Sequence, residues 1–275
     1  MVARTPRLRL PALALCASLF GLALVAAPAA PADALTAADV SAASAVTADA
    51  LPTVQVNGVV WAQKIVGDTV YVGGSFTTAQ PAGAAAGVGT VSRTNLLAYD
   101  LNTGALKTAF VPVTNGQVRA ITASPDGSQI WVAGDFNQVN GLSRPFVAAL
   151  DPTTGAPTSF RIVPNAPVYG IAISGSTVFF GGNFTAVNST TRTRAASVST
   201  SGTLLPFAPA VPDQTVRAVV VSPDGSKVVL GGSFTSLNGS TSSGQASARS
   251  ARPPARPCRS RWRTASGTTA RRPRS

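Results

Sequence analysis

The sequence predicts an all-β repeat protein of blade-like units of about 50 residues, preceded by an export signal. Three observations carry this. Four short runs of apolar β-formers, each ending in a small pair, a polar residue and Phe, recur along the chain. A second strand-like run precedes each of them across a turn. Gly (25) and Pro (21) fall at regular joints, as many short strands require.

The N-terminus supplies the signal. Arg4, Arg7 and Arg9 flank an apolar run from Leu10 to Ala27, and Ala27-Pro28-Ala29 and Ala32-Asp33-Ala34 offer small-residue cleavage sites. Pro28 and Pro31 hold this stretch extended where a peptidase needs it. The expected layout is a signal peptide at 1–34 and an Ala-rich linker at 35–53. Repeats follow at 54–245, in units near 54–115, 116–165, 166–213 and 214–245, and then a disordered Arg/Pro/Ser-rich tail at 246–275. Localisation is therefore expected to be secreted, with the cell surface as one destination and no membrane attachment after cleavage. Bias towards Ala, Arg, Gly and Pro points to a GC-rich, bacterial genome. Export implies an oxidising compartment, yet residues 35–245 contain no Cys, so packing must stabilise the repeats without cross-links.

The repeat is VYVGGSF at 70–76, IWVAGDF at 130–136, VFFGGNF at 178–184 and VVLGGSF at 228–234. The second glycines, Gly74, Gly134, Gly182 and Gly232, are 60, 48 and 50 residues apart, and an insertion at 81–92 accounts for the long first interval. The small pair lets backbones approach at the strand end. Phe76, Phe136, Phe184 and Phe234 then bury a ring between layers. Preceding strands run from Val118 to Ala123, Val168 to Ile173 and Val216 to Val221. Two of them enter SPDGS turns at 124–128 and 222–226, where Pro and Asp-Gly between apolar runs mark a hairpin. A third strand follows at 96–104, 146–155 and 195–202, and a short fourth ends near Phe110, Phe160 and Phe207. Four antiparallel strands per unit make a β-propeller blade. About three and a half blades are present, fewer than the four to eight that usually close a ring, so the propeller is incomplete and association through open blade edges is expected.

GGSF with a following NG, the SPDG turn, and a D-x-x-TG segment running into a Phe-Pro strand are similar to the delta-sixty repeat, a β-propeller repeat of exported bacterial proteins of actinobacterial type. The resemblance covers residues 54–245. It implies a propeller and an extracellular setting, with kelch-like and WD-like propellers as the broader match, and it supplies no catalytic residue.

The residues for common chemistry are missing. The chain has no His or Glu, and the repeats have no Cys, which removes the usual general bases, the thiol nucleophile and the commonest metal ligands. Asp39, Asp49, Asp68, Asp100, Asp126, Asp135, Asp151, Asp213 and Asp224 are the remaining carboxylates of 35–245, most of them at turns. Equivalent Asp residues of successive blades would lie around a ring, not on opposite sides of one bond as paired-carboxylate hydrolysis requires. Asp100-Leu101-Asn102-Thr103-Gly104 has a calcium loop's alternating oxygens but lacks its closing acidic residue, so it reads as a plain turn. SPDGS differs from an Asp-box, whose Asp and Gly are one residue apart. No catalytic residue, metal site or cofactor is expected. The leading functional reading is a non-enzymatic extracellular module with a binding or structural role, its partner an unidentified protein or cell-wall glycan. The alternative is the propeller domain of a quinoprotein-like or glycan-active enzyme.

One set of residues stands apart. Trp61, Arg119, Tyr169 and Arg217 occupy the same position in the first strand of the four units. They read either as lining a shared ligand-binding face or as packing stems between blades. Asn183, Asn188 and Asn238 match glycan-acceptor patterns and read as idle loop residues in a bacterial host.

Charge excludes a nucleic-acid role for the repeats. The net +12 is concentrated at the ends, while residues 35–245 carry ten Lys or Arg against nine Asp. Nine Arg lie in the last 30 residues. Reading PCRSRWRTASGTTA at 257–270 from the third base of the Pro257 codon, with GC-rich codons, yields LPFAVANRVRDYG. That restores the LPF and Val-Arg order of Leu205 to Phe207 and Val216-Arg217. The expectation is a frameshifted, truncated version of a longer protein with more blades.

Overall fold

The computed structural model describes residues 51–240 and the backbone of a short strand at 247–249. The predicted signal peptide and the predicted tail, apart from that strand, lie outside the described residues, as does the linker up to residue 50. The repeats belong to a compact unit that begins at Ala50. Among the described residues there is no helix.

The first unit comprises β1 (Gln55–Val56), β2 (Val59–Val66), β3 (Thr69–Ser75), β4 (Thr78–Gln80), β5 (Val91–Ser92) and β6 (Leu96–Asp100). The second comprises β7 (Val118–Ala123), β8 (Ile130–Gly134), β9 (Gln138–Val139), β10 (Leu142–Ser143) and β11 (Val147–Leu150). The third has β12 (Val168–Ser174), β13 (Thr177–Gly182), β14 (Ala186–Val187), β15 (Thr190–Thr191) and β16 (Ala195–Ser199), and the fourth β17 (Val216–Val221), β18 (Lys227–Gly232) and β19 (Ser247–Arg249). Each unit contributes one main three-stranded antiparallel sheet, β2-β3-β6, β7-β8-β11, β12-β13-β16 and β17-β18-β19, and the short strands form smaller sheets, β1-β4-β5, β9-β10 and β14-β15, within the first three units. These are the blades of a β-propeller.

The fourth strand is shorter than predicted. It is reduced to single bridges, Tyr99 to Leu106, Leu150 to Pro157 and Val198 to Leu204, each flanked by backbone hydrogen bonds such as Lys107 N to the Ala98 carbonyl (2.9 Å). The chain then leaves the sheet to bury Phe110 and Phe160. β19 lies inside the segment predicted as tail. It pairs Arg249 with Lys227 as Ser199 pairs with Thr177, so the backbone pattern of the repeat runs to Arg249.

The twin small residues have a specific cause. In every unit the first strand carries one extra residue opposite the pair, a β-bulge: the register slips between Val60 and Ala62, Val118 and Ala120, Val168 and Gly170, and Val216 and Ala218. The bulge drives a carbonyl into the second glycine. A Cβ on Gly74, Gly134, Gly182 or Gly232 would lie 2.1, 2.0, 2.1 or 2.1 Å from the oxygen of Val59, Gln117, Pro167 or Thr215. The first small residue faces the next blade instead, where a Cβ on Gly73 would meet Val118 Cγ1 at 2.5 Å and one on Gly181 would meet Val216 Cγ1 at 2.3 Å.

The core lies between blades. Alternation along β8 sends Trp131 and Ala133 into a cluster with Val168, Ile171 and Phe180 of the third unit, while Ile130 and Val132 join Tyr71, Leu96 and Phe110 of the first. A third cluster joins Phe179 and Ala195 to Val216, Val219 and Leu230. Strands covered on both faces read as continuous apolar runs, which is why β8 is buried along its whole length. Each joint also holds an edge-to-face aromatic pair: Tyr71–Phe110 (centroids 5.2 Å apart), Trp131–Phe160 (4.5 Å) and Phe179–Phe207 (5.2 Å).

Candidate functional site

The bulge decides where the four singled-out residues go. Trp61, Arg119, Tyr169 and Arg217 are the extra residues of the four bulges. A bulged residue leaves the ladder and re-aims its side chain, and repetition aligns the four across neighbouring blades. The first strands of adjacent units touch one another, β2 with β7, β7 with β12 and β12 with β17. The side chains therefore meet. The Arg119 guanidinium lies 4.8 Å from the Trp61 ring centre and 5.9 Å from that of Tyr169, a cation held between two aromatic faces.

Further groups fix this arrangement. Arg119 Nε donates to Asp135 Oδ2 at 3.1 Å, an ion pair with both side chains about a quarter to a third exposed. Trp61 Nε1 donates to Gln117 Oε1 at 3.0 Å, which pins the indole. Thr215 donates through its hydroxyl to Asn183 Oδ1 one joint further on. Arg217 is exposed, and its Nε reaches Ser233 Oγ at 3.4 Å; among the described residues it pairs with no carboxylate. Trp61 is 48% exposed. The set is neither buried packing nor an isolated surface row. It is a partly open face whose side chains are held by one another.

Asp135 is the part that sequence reasoning did not place here. Its position directly after the small pair, matched by Ser75, Asn183 and Ser233, was visible as the polar residue of the repeat. Its role needed the bulge, which brings that residue opposite the bulged side chain of the same sheet.

Asp100, Asp126, Asp151 and Asp224 serve turns. Asp100 Oδ1 accepts from Asn102 N, Thr103 N and Thr103 Oγ1, and Asp151 does the same for Thr153 and Thr154. The hydrogen bond from Lys107 Nζ, with those of Thr103, lowers the Asp100 carboxyl to about 2. Hydrogen bonds from Ser124 and Ser128 lower Asp126 to about 2, and those from Ser222 and Ser226 lower Asp224 further. Open clefts flank the SPDGS turns, one of about 480 Å³ lined by Pro125, Asp126, Gly175, Ser176 and Thr200, and Asp126 Oδ1 there accepts from Ser128 N and Ser128 Oγ of its own turn. Among the described residues no three His, Cys, Asp or Glu side chains gather in metal-binding geometry.

Neither a family model nor a curated protein matches the chain. Among solved structures it is similar to the computationally designed Ika4 protein, at 14% identity and a TM-score of 0.46, covering 70% of this chain and 98% of that one. The designed Ika8 protein matches at 15% and 0.43, covering 68% of this chain and 48% of that one. The WD40 repeats of RRP9 match at 10% and 0.45, covering 66% and 50%. The chain thus spans about half the length of the latter two.

Proposed function

We propose that this protein is an exported, non-enzymatic recognition module of the delta-sixty type, which binds a protein or cell-wall glycan at the cell surface through its bulge face. One observation carries the reading: Arg119 is held between Trp61 and Tyr169 and anchored by Asp135, on a face that stays open to solvent. Prearranged aromatic and guanidinium groups lower the ordering cost of binding. The apolar run at 10–27 and the repeat's resemblance to exported propellers support the extracellular setting. Catalysis is disfavoured because the face's carboxylate, Asp135, is ion-paired with Arg119, and the turn carboxylates accept from their own loops.

Purified protein should bind isolated bacterial cell wall or a cell-surface protein, and Trp61→Ala should reduce that binding at unchanged circular dichroism. Glycan hydrolysis, or cofactor absorbance that co-purifies with the chain, would replace this reading with the enzymatic one.

A further inference from the structure

We infer that the bulge face selects an acidic glycan, stacking a sugar ring on Trp61 and pairing a carboxylate with Arg217. The inference rests on the reading of this face as the recognition surface. It follows from the different electrostatic states of the two arginines.

Arg119 is satisfied. Asp135 cancels its charge at 3.1 Å, and the Trp61 and Tyr169 rings cover its plane. It acts as a spacer that fixes the two rings. Arg217 occupies the equivalent position two units on, but Ser233 stands where Asp135 does in the second unit, and a hydroxyl at 3.4 Å cancels no charge. Among the described residues the face therefore carries one uncompensated cation, presented as a planar fork suited to a carboxylate.

At the other end, Trp61 is half exposed and its nitrogen is occupied by Gln117, so what it offers solvent is ring rather than donor. A pinned indole ring suits the C–H face of a pyranose, an amphipathic body that needs both apolar contact and hydrogen bonds. Between the two ends, Tyr169, Asn183 and Thr215 supply a phenol, an amide and a hydroxyl. The sequence of groups across the four blades is thus ring, neutralised ion pair, ring, polar pair, cation. A polyhydroxylated chain with intermittent negative charge complements that order.

A nucleic acid does not. Single-stranded nucleic acid is held by cations repeated along its backbone, whereas this face has one free Arg among the described residues and residues 35–245 a net charge of +1. A neutral glycan would leave Arg217 without a partner.

Oligogalacturonate and its methyl ester, which share rings and hydroxyls and differ in charge, separate the possibilities. Binding is followed by calorimetry and by fluorescence in a Trp262→Phe background, where Trp131 is buried and Trp61 reports the face. The acid is expected to bind, to weaken as salt rises, and to lose about tenfold or more in affinity with Arg217→Gln, the scale of one charged hydrogen bond. Trp61→Ala should abolish the fluorescence response and most of the affinity. Equal or tighter binding of the methyl ester, no binding of the acid, or tighter binding of oligo-dT overturns the inference. If Trp61→Ala still weakens attachment to cell wall or surface protein in that case, the recognition-face reading stands without the acidic-glycan selectivity; if it does not, both fall.

Discussion

Gly134 and Gly182 show how far a single Cβ decides this fold. Each faces a carbonyl oxygen that a methyl group would approach to within 2.1 Å. Gly134→Ala and Gly182→Ala should each cost about 2–3 kcal/mol, the scale of overpacking in a tight core. Gly231→Ala is the contrast. Its nearest neighbour to an added Cβ is Ala218 Cβ at 3.6 Å, and Ala133 already stands at the same repeat position, so denaturant midpoints should barely move. A second residue test concerns Trp131, fully buried with no hydrogen-bond partner for its Nε1. An unpaired buried donor carries a standing penalty. Trp131→Phe, which copies Phe179 of the third unit, should therefore cost less than about 1.5 kcal/mol despite the smaller ring, against about 3–5 for Trp131→Ala. Chemical denaturation of the five variants measures this. The sequence showed that the GG pair recurs but not that a bulge causes it, because the bulge is a relation between two strands and neither strand displays it alone.

At the scale of the element, the connections between blades are tied by side chains that a linear reading takes for loop filler. Asn57, Asn115 and Asn165 each lie three residues before the valine that pairs with the second glycine, Val60, Val118 and Val168. Each accepts two backbone N–H groups just past the repeat's Phe, from Thr77 and Thr78, Asn137 and Gln138, and Thr185 and Ala186. Asp213 does the same work for Thr235. Asn140, Asn188 and Asn238, the loop asparagines, take left-handed backbone at φ of 51°, 49° and 52° and exchange hydrogen bonds with Val113, Val163 and Ala210. The spacing was legible; the partners, 20 or more residues away, were not. Asn165→Ala should lower stability by about 1–2 kcal/mol, whereas Asn165→Asp, which copies Asp213, should retain most of it at neutral pH. The turns give a pH dependence with a defined sign. Asp100 and Asp126 are lowered to about 2 when folded, and Asp151, Asp213 and Asp224 are also lowered. Depressed folded values mean that stability is fully present above the unfolded carboxylate range near 4 and is lost as pH falls from there through about 2. With no His or Glu in the chain, the melting temperature should be level between pH 5 and 7 and fall steeply below 4.

The whole molecule is one joint repeated. The strands and their order were legible because repetition multiplies a weak local signal, and because inter-blade burial on both faces writes itself as apolar runs such as Ile130 to Ala133. The bulge face was legible only as an equivalence of Trp61, Arg119, Tyr169 and Arg217. Whether such residues stack openly or pack away depends on the spacing between blades, a tertiary quantity. That same joint predicts how the chain associates. Inside the molecule, Val118 seats on Gly73 and Val216 on Gly181. Val60, the same residue of the first unit, is 37% exposed, and Gly231, the same glycine of the fourth, has room beside it. Val59, Ile65 and Val220 are exposed at 48%, 53% and 58%. The first-unit face of one copy thus offers what the fourth-unit face of another accepts, in the geometry the chain already uses internally. Gln63 replaces Ile121 at this joint, so the external version is weaker than the internal ones. A head-to-tail contact of this kind should appear as association that rises with protein concentration in sedimentation equilibrium. Gly231→Leu, which fills the notch where among the described residues only Ala218 Cβ lies within 4 Å of an added Cβ, should reduce association and leave the circular dichroism unchanged; a chain that stays monomeric over the accessible concentration range removes the second copy as the partner of this face.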